Sequence, residues 1–220
     1  MPEQQTASPR PVRTAPFGPV TIAFDDRVLE PRPWTLLQSE WAVELAADAP
    51  AGPVLELCAG AGQIGLVVAV ATGRPLVQVD CSEAAVDFAR ANAAAAGLAA
   101  SVEIRCAPLE TAVADDEYFP LVLADPPYLP SAGVGRFPDD PPLAVDGGPD
   151  GLDLVRACLT VAGRHLAAGG FVLLQVAGPA QARAVVDVTA EADAVLGVLD
   201  VRVVDDDRAV VLLAGSPLAT

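Results

Sequence analysis

Val54-Leu55-Glu56-Leu57-Cys58 is a short apolar run that breaks into glycines and restarts as Ile64-Gly65-Leu66-Val67-Val68-Ala69-Val70. This is the pattern of a strand, a tight turn and a helix, and it recurs along the chain. Pro75 to Asp80 is a second apolar strand, after which Ser82 is placed to cap a helix through Glu83, Val86, Phe88 and Ala91 that Gly97 ends. Val102 to Cys106 alternates as a third strand, and Leu121-Val122-Leu123-Ala124 forms a fourth. Beyond a loop rich in Pro and Gly, the pattern predicts a helix from about Leu152 to Leu166, stopped by Gly169-Gly170 before the strand Phe171 to Val176. Pro179 suits the first turn of one more helix. Val198 to Val204 and Ala209 to Leu213, separated by Asp205-Asp206-Asp207-Arg208, read as an antiparallel pair. Parallel neighbours need long crossovers, so strands alternating with helices dictate a parallel sheet covered on both faces. The expected fold is α/β: a doubly wound, mostly parallel, seven-stranded sheet ending in an antiparallel C-terminal hairpin.

The N-terminal part reads differently. Residues 1–20 are expected to be a flexible tail, rich in Pro, Gln, Ser and Thr, and 21–220 a single domain with an extended lead-in. Met1 to Pro33 holds seven prolines, and fewer than 35 residues precede the lead-in's end, so no helical domain is expected there. From Trp34 the spacing of Leu37, Trp41 and Leu45 predicts a helix of about three turns. The tail lacks the apolar segment of a secretory signal and no run of about 18 apolar residues occurs, so the expected setting is cytoplasmic, with no membrane partner. All 13 basic residues are Arg, against 29 acidic ones, and a net charge of −16 argues against loose electrostatic binding to nucleic acid or to an anionic surface.

In a sheet of this kind ligands bind at the carboxyl ends of the strands, so the residues that follow each strand are the candidates. The first turn contains Gly60-x-Gly62-x-x-Gly65, and Asp80 ends the next strand twenty positions after Gly60. The glycines let a ligand approach the backbone, and the carboxylate can accept hydrogen bonds from two ribose hydroxyls. Together they indicate an adenosine-type ligand; the bland reading is a packing turn with Asp80 as a helix cap. Glu56, late in an apolar strand, wants a cation or donors beside it. An ammonium on the ligand would satisfy it and a pyrophosphate would be repelled; an Arg or loop amides would serve equally well. No Cys-x-x-Cys and a single His leave no zinc site. Cys58, Cys81 and Cys106, each ending a strand, read as small buried packing residues, with a thiol sensor near the pocket as the alternative. His165, near the end of its helix, reads as a partner for the helix dipole, and Asp139-Asp140 and Asp205-Asp206-Asp207 as solvated loops, with shaping of the substrate mouth as the alternative for the first pair.

The most informative stretch is Leu121-Val122-Leu123-Ala124-Asp125-Pro126-Pro127-Tyr128. An apolar fourth strand ending in Asp-Pro-Pro-Tyr resembles the class I, Rossmann-like S-adenosylmethionine-dependent methyltransferases that act on planar nitrogen. Phe137-Pro138 and Leu143-Ala144-Val145-Asp146-Gly147-Gly148-Pro149-Asp150-Gly151-Leu152 are similar to the segment that follows in the HemK/PrmC family, which methylates the glutamine of peptide chain release factors. Val28-Leu29-Glu30-Pro31-Arg32-Pro33-Trp34-Thr35 resembles that family's lead-in, and the likeness spans roughly residues 20 to 214. The resemblance implies S-adenosyl-L-methionine as cofactor, cradled by Cys58, Ala59, Gly60, Ala61 and Gly62, with Glu56 at its ammonium, Asp80 on the ribose, Leu109 by the adenine, and Asp125 also in contact with it. It implies that Asp125, Pro126, Pro127 and Tyr128 hold the substrate. A carboxylate at Asp125 and the Pro126 carbonyl can accept the two N–H bonds of a planar nitrogen and Tyr128 can stack on it, so no strong base is required. The departures are Asp125 for the usual Asn, Cys58 for the first glycine of the turn, Pro108 where Asp is common, and the short N-terminal part. The implied acceptor is a glutamine in a protein, such as a release factor, or a small-molecule amide. An exocyclic amine of RNA or DNA, towards which Asp125 points, and a regulatory cofactor-binding protein without catalysis are the alternatives.

Overall fold

The computed structural model describes residues 10–190 and 195–215. Its centre is a seven-stranded sheet built from β3 (Val54–Leu57), β4 (Leu76–Asp80), β5 (Val102–Cys106), β6 (Phe119–Ala124), β7 (Leu166–Val176), β8 (Leu196–Asp205) and β9 (Arg208–Gly215), in the order β5-β4-β3-β6-β7-β9-β8. The first five are parallel where they pair; β9 runs antiparallel to both β7 and β8, as expected of the C-terminal hairpin. The chain winds outward from β3 to β5 and then returns to β6 on the other side of β3. β3 and β6 therefore flank the point where the winding direction reverses, and that is where a doubly wound sheet leaves a crevice. Leu57 and Ala124 are register partners, so Cys58 and Asp125 emerge side by side at that crevice.

Helices cover both faces. α1 (Leu36–Leu45), α2 (Gln63–Thr72) and α3 (Glu83–Ala95) lie on one, and α4 (Asp153–His165) and α5 (Gly178–Thr189) on the other. Residues alternating along each strand feed two cores: Val54, Leu76, Leu121 and Leu123 pack with Trp41, Ile64, Val68 and Phe88, while Leu55, Val79, Val122 and Leu174 pack with Val155, Leu159, Ala182 and Val185. Burying each Val, Leu, Ile or Phe among them contributes about 1.5–3 kcal/mol. Ser82 caps α3 by accepting from the Ala85 amide, and Gly97 follows it at φ 74°, as expected.

Three elements depart from the sequence reading. Residues 13–24 are neither tail nor bare lead-in: β1 (Arg13–Phe17) and β2 (Val20–Phe24) form an antiparallel hairpin through Gly18, and Phe17, Val20, Ile22 and Phe24 join the core. The buried face of α1 is partly polar, with Gln38 and Ser39 beside Trp41 and Ala42, and Leu37 and Leu45 only partly covered. The last helix before β7 stops at His165, four residues ahead of the glycines. Gly169 and Gly170 instead lie within β7, in an irregularity between the Phe119–Leu166 and Leu121–Phe171 pairs. His165 Nδ1 donates to the Glu117 carbonyl, 2.9 Å away, rather than merely facing the helix end.

Candidate active site

A cavity of about 660 Å³ opens at the carboxyl ends of β3, β4, β5 and β6. Its floor is the first turn. Gly60, at φ 55°, would put an added Cβ into open space, which shows that the backbone there faces the cavity. The Asp80 carboxylate spans the next strand end: one oxygen accepts from the Gly60 amide at 2.8 Å and the other from the Ser82 amide at 2.8 Å. Burial nevertheless raises its pKa, and the two amides work against that rise. Ala107, Pro108 and Leu109 form an apolar slot beyond it, where Leu109 was expected.

Of the turn expected to cradle a ligand, only Cys58 and Gly60 line the cavity. Ala59 and Ala61 are buried, and a Cβ on Gly62 would strike Gln78 at 2.7 Å, so these three shape the turn from behind. Glu56 is also behind it. Its register partner Gln78 donates to it at 2.7 Å, the Gly65 amide adds a second hydrogen bond, and it is absent from the cavity wall. The donors beside Glu56 are thus a β4 side chain and a backbone amide of α2. Burial dominates its titration and pushes it up to about 7. Cys58 has φ 56°, a left-handed conformation that costs a side-chain-bearing residue about 1–2 kcal/mol relative to glycine.

The Asp-Pro-Pro-Tyr segment occupies the lip. Asp125 and Pro127 line the cavity, Pro126 is buried, and Tyr128 packs against the core beside them. Among the described residues none donates a hydrogen bond to the Asp125 carboxyl, and burial alone pushes it up to about 7. Tyr128 is pushed up by burial and then by the Asp125 charge. The segment is clamped by residues far along the chain. Leu129 donates to the Val145 carbonyl and accepts from the Gly147 amide, 3.0 and 2.8 Å. A Cβ on Gly147 would lie 2.7 Å from the Pro127 carbonyl oxygen, and one on Gly151 2.5 Å from that of Tyr128, so only glycine permits this approach. Gln181 donates to the carbonyls of Tyr128 and Gly151, both at 3.0 Å. Gln38 donates to the carbonyls of Ala124 and Leu173 at 3.0 and 2.8 Å and holds the strand ends that carry the lip.

Gln38 and Gln181 are residues that sequence reasoning missed. Neither lies in a motif, and the only signal for Gln38 is its place on the apolar face of α1. Around the mouth, Arg32 pairs with Asp140 and stacks near Trp34, and Arg208 of the hairpin tip lies 3.6 Å over the Trp34 ring. Asp140 is therefore an ion-pair partner and not a merely solvated carboxylate. Cys81 and Cys106 are exposed, contrary to the packing role expected of them, while Cys58 meets the buried Cys158. Among the described residues no group of three or more His, Cys, Asp or Glu could hold a metal, and no helix is long and apolar enough to cross a membrane.

Residues 39–134 match the model of the methyltransferase small domain. The chain is 37% identical over 171 residues to a release factor glutamine methyltransferase of Mycolicibacterium smegmatis, covering 72% of this chain and 57% of that protein. It is 33% identical over 165 residues to a ribosomal protein uL3 glutamine methyltransferase of Bradyrhizobium diazoefficiens, covering 69% and 51%. The chain thus spans between half and three fifths of the length of these relatives. The fold matches a crystal structure of the ribosomal protein L11 methylase of Lactobacillus delbrueckii subsp. bulgaricus with a TM-score of 0.63, at 15% identity, covering 88% of this chain and 84% of that one. The chain thus has the Rossmann-like fold of methyltransferases, carries the methyltransferase small domain over residues 39–134, and is similar to protein-glutamine methyltransferases over about 70% of its own length.

Proposed function

We propose that this chain binds S-adenosylmethionine in the cavity and methylates an amide nitrogen, with a glutamine side chain of a protein as the acceptor. The donor set fits that cofactor: Asp80 for the ribose hydroxyls, Leu109 and Ala107 for the adenine, the open backbone at Gly60, and an anionic group at Asp125 facing a cationic centre. When bound, the cofactor supplies an electrophilic methyl group. The observation that carries the reading is Asp125, a half-buried carboxyl at the cavity lip without a hydrogen-bond partner among the described residues. An amide nitrogen is a poor nucleophile because its lone pair is delocalised. The Asp125 carboxylate and the Pro126 carbonyl accept its two N–H bonds, fix its direction and offset the positive charge that grows on it. A carboxyl poised near neutrality can also take the proton that the nitrogen sheds. Glu56 acts through the turn it braces, so its part is positioning.

The relatives' names point to release factors or a ribosomal protein as acceptors, and a protein glutamine is the shared chemistry. Asp125 in place of Asn keeps a nucleobase amine as the second reading, since a carboxylate accepts two such bonds well. Asp125→Ala should abolish methyl transfer while S-adenosylhomocysteine affinity, measured by calorimetry, stays within about threefold. Turnover at the wild-type rate would defeat the assignment.

A further inference from the structure

Cys58 and Cys158 come from elements 100 residues apart, yet their sulfurs are 3.9 Å from one another. Cys58 lines the cavity and sits in the left-handed conformation, in the turn expected to face the ligand. Cys158 is buried on α4, within the core that backs the sheet. A side chain held in a left-handed turn and in contact with a second thiol is an outlier that packing alone does not require. A disulfide needs the sulfurs at about 2.05 Å, so they must close by roughly 1.9 Å. α4 is locked by Val155, Leu159 and Ala162 in the core, whereas the turn opens onto empty space at Gly60. The movement therefore falls on the turn, the part of the cavity that a cofactor would rest on.

We propose that Cys58 and Cys158 form an oxidation site through which hydrogen peroxide closes the cofactor cavity; the second half of this statement rests on the reading of the cavity given above. The Cys58 sulfur attacks a peroxide oxygen, the O–O bond breaks, water leaves with the thiol proton, and Cys58 becomes a sulfenic acid. The Cys158 sulfur then attacks the Cys58 sulfur, the S–O bond breaks, and a second water leaves. Two thiols lose two hydrogens and two electrons, and the peroxide is reduced to two waters. Contact with Cys158 and burial push the Cys58 thiol well up, so the reaction is slow at neutral pH and quickens as pH rises. A bound cofactor, lying against Cys58, shields it.

The test uses the full chain treated with hydrogen peroxide, with and without S-adenosylhomocysteine. Peptide mass mapping should find Cys58 joined to Cys158 with the loss of two hydrogens, formed more slowly when the nucleoside is present. Calorimetry should find S-adenosylhomocysteine affinity reduced by about tenfold or more after oxidation and restored by dithiothreitol. Cys158→Ala should bind as the reduced wild type does and be indifferent to peroxide, and Cys158→Ser serves if the first variant melts early. Absence of the cross-link while Cys81 and Cys106 react overturns the site, and a cross-link that leaves affinity unchanged overturns its effect on the cavity. Reduced wild type that fails to bind S-adenosylhomocysteine overturns the cofactor reading instead, and the mass map still decides the cross-link.

Discussion

Asp125 ties chemistry to stability through one physical cause. Burial disfavours its charged form, and its pKa rises to about 7 from the ordinary carboxyl range. The folded state therefore binds a proton between about pH 4 and 7 that the unfolded state has released. The stability this gives is fully present below about pH 4 and is lost as pH rises to about 7. Asp125→Asn removes that dependence: thermal melts should show the variant level with wild type near pH 4 and several degrees higher at pH 8. Activity runs the other way, because the ionised form is the better acceptor for N–H groups. Methyl transfer by the wild type should rise through pH 7, and the profile of Asp125→Asn, slower overall, should be flat between pH 6 and 8. A wild-type profile flat across that window would mean that Asp125 is ionised throughout and that burial does not govern its titration.

The lip illustrates how an element is held by glycines remote from it. The loop from Val145 to Leu152 lies close against Tyr128 and Leu129, and Gly147 admits no Cβ beside the Pro127 carbonyl. Gly147→Ala would push the segment outward by about an ångström, a displacement that typically costs about 100-fold in rate. Turnover of the variant should fall by that order while S-adenosylhomocysteine binding is kept, since the floor of the cavity is made by other strands. Loss of binding and turnover together would indicate that the loop holds the whole cavity. Much of this was legible at the level of motif: the segment Asp146 to Leu152, the Asp-Pro-Pro-Tyr stretch and the glycine turn were found by their order. The N-terminal hairpin was not, although Val20-Thr21-Ile22-Ala23-Phe24 alternates in burial with the period of a strand. Prolines at 16 and 19 obscured that alternation, and a strand's partner is a fact of pairing that no single run reveals. Gly169-Gly170 misled in the opposite sense. A glycine pair that can stop a helix can equally relieve a strand of its register, and only the partner β6 decides between them.

At the scale of the whole molecule, charge selects among acceptors. Arg residues are spread through ion pairs such as Arg27–Asp25, Arg105–Glu117 and Arg32–Asp140, leaving no basic stripe of the kind that tracks phosphates among the described residues. Affinity for a glutamine-bearing protein should change less than about tenfold between 50 and 200 mM salt, whereas a contact with six to ten phosphates loses about 10³–10⁵ over that range. A steep salt slope would move the acceptor towards nucleic acid. The apolar runs were enough to indicate seven strands and a mostly parallel sheet, because a strand buried on both faces is a local pattern written along the chain, whereas the order of the strands is a matter of pairing. The turn glycines and the place of Asp80 at its strand end could likewise be named in advance, since each follows from a local pattern of backbone conformation or strand ending. Which turn residues face the cavity, that Glu56 braces from behind, that Gln38 and Gln181 hold the lip, and that Cys58 meets Cys158 were settled only by tertiary packing. Those pairings join residues from 22 to 135 positions apart, and the direction of a side chain across a sheet depends on partners that local sequence does not contain.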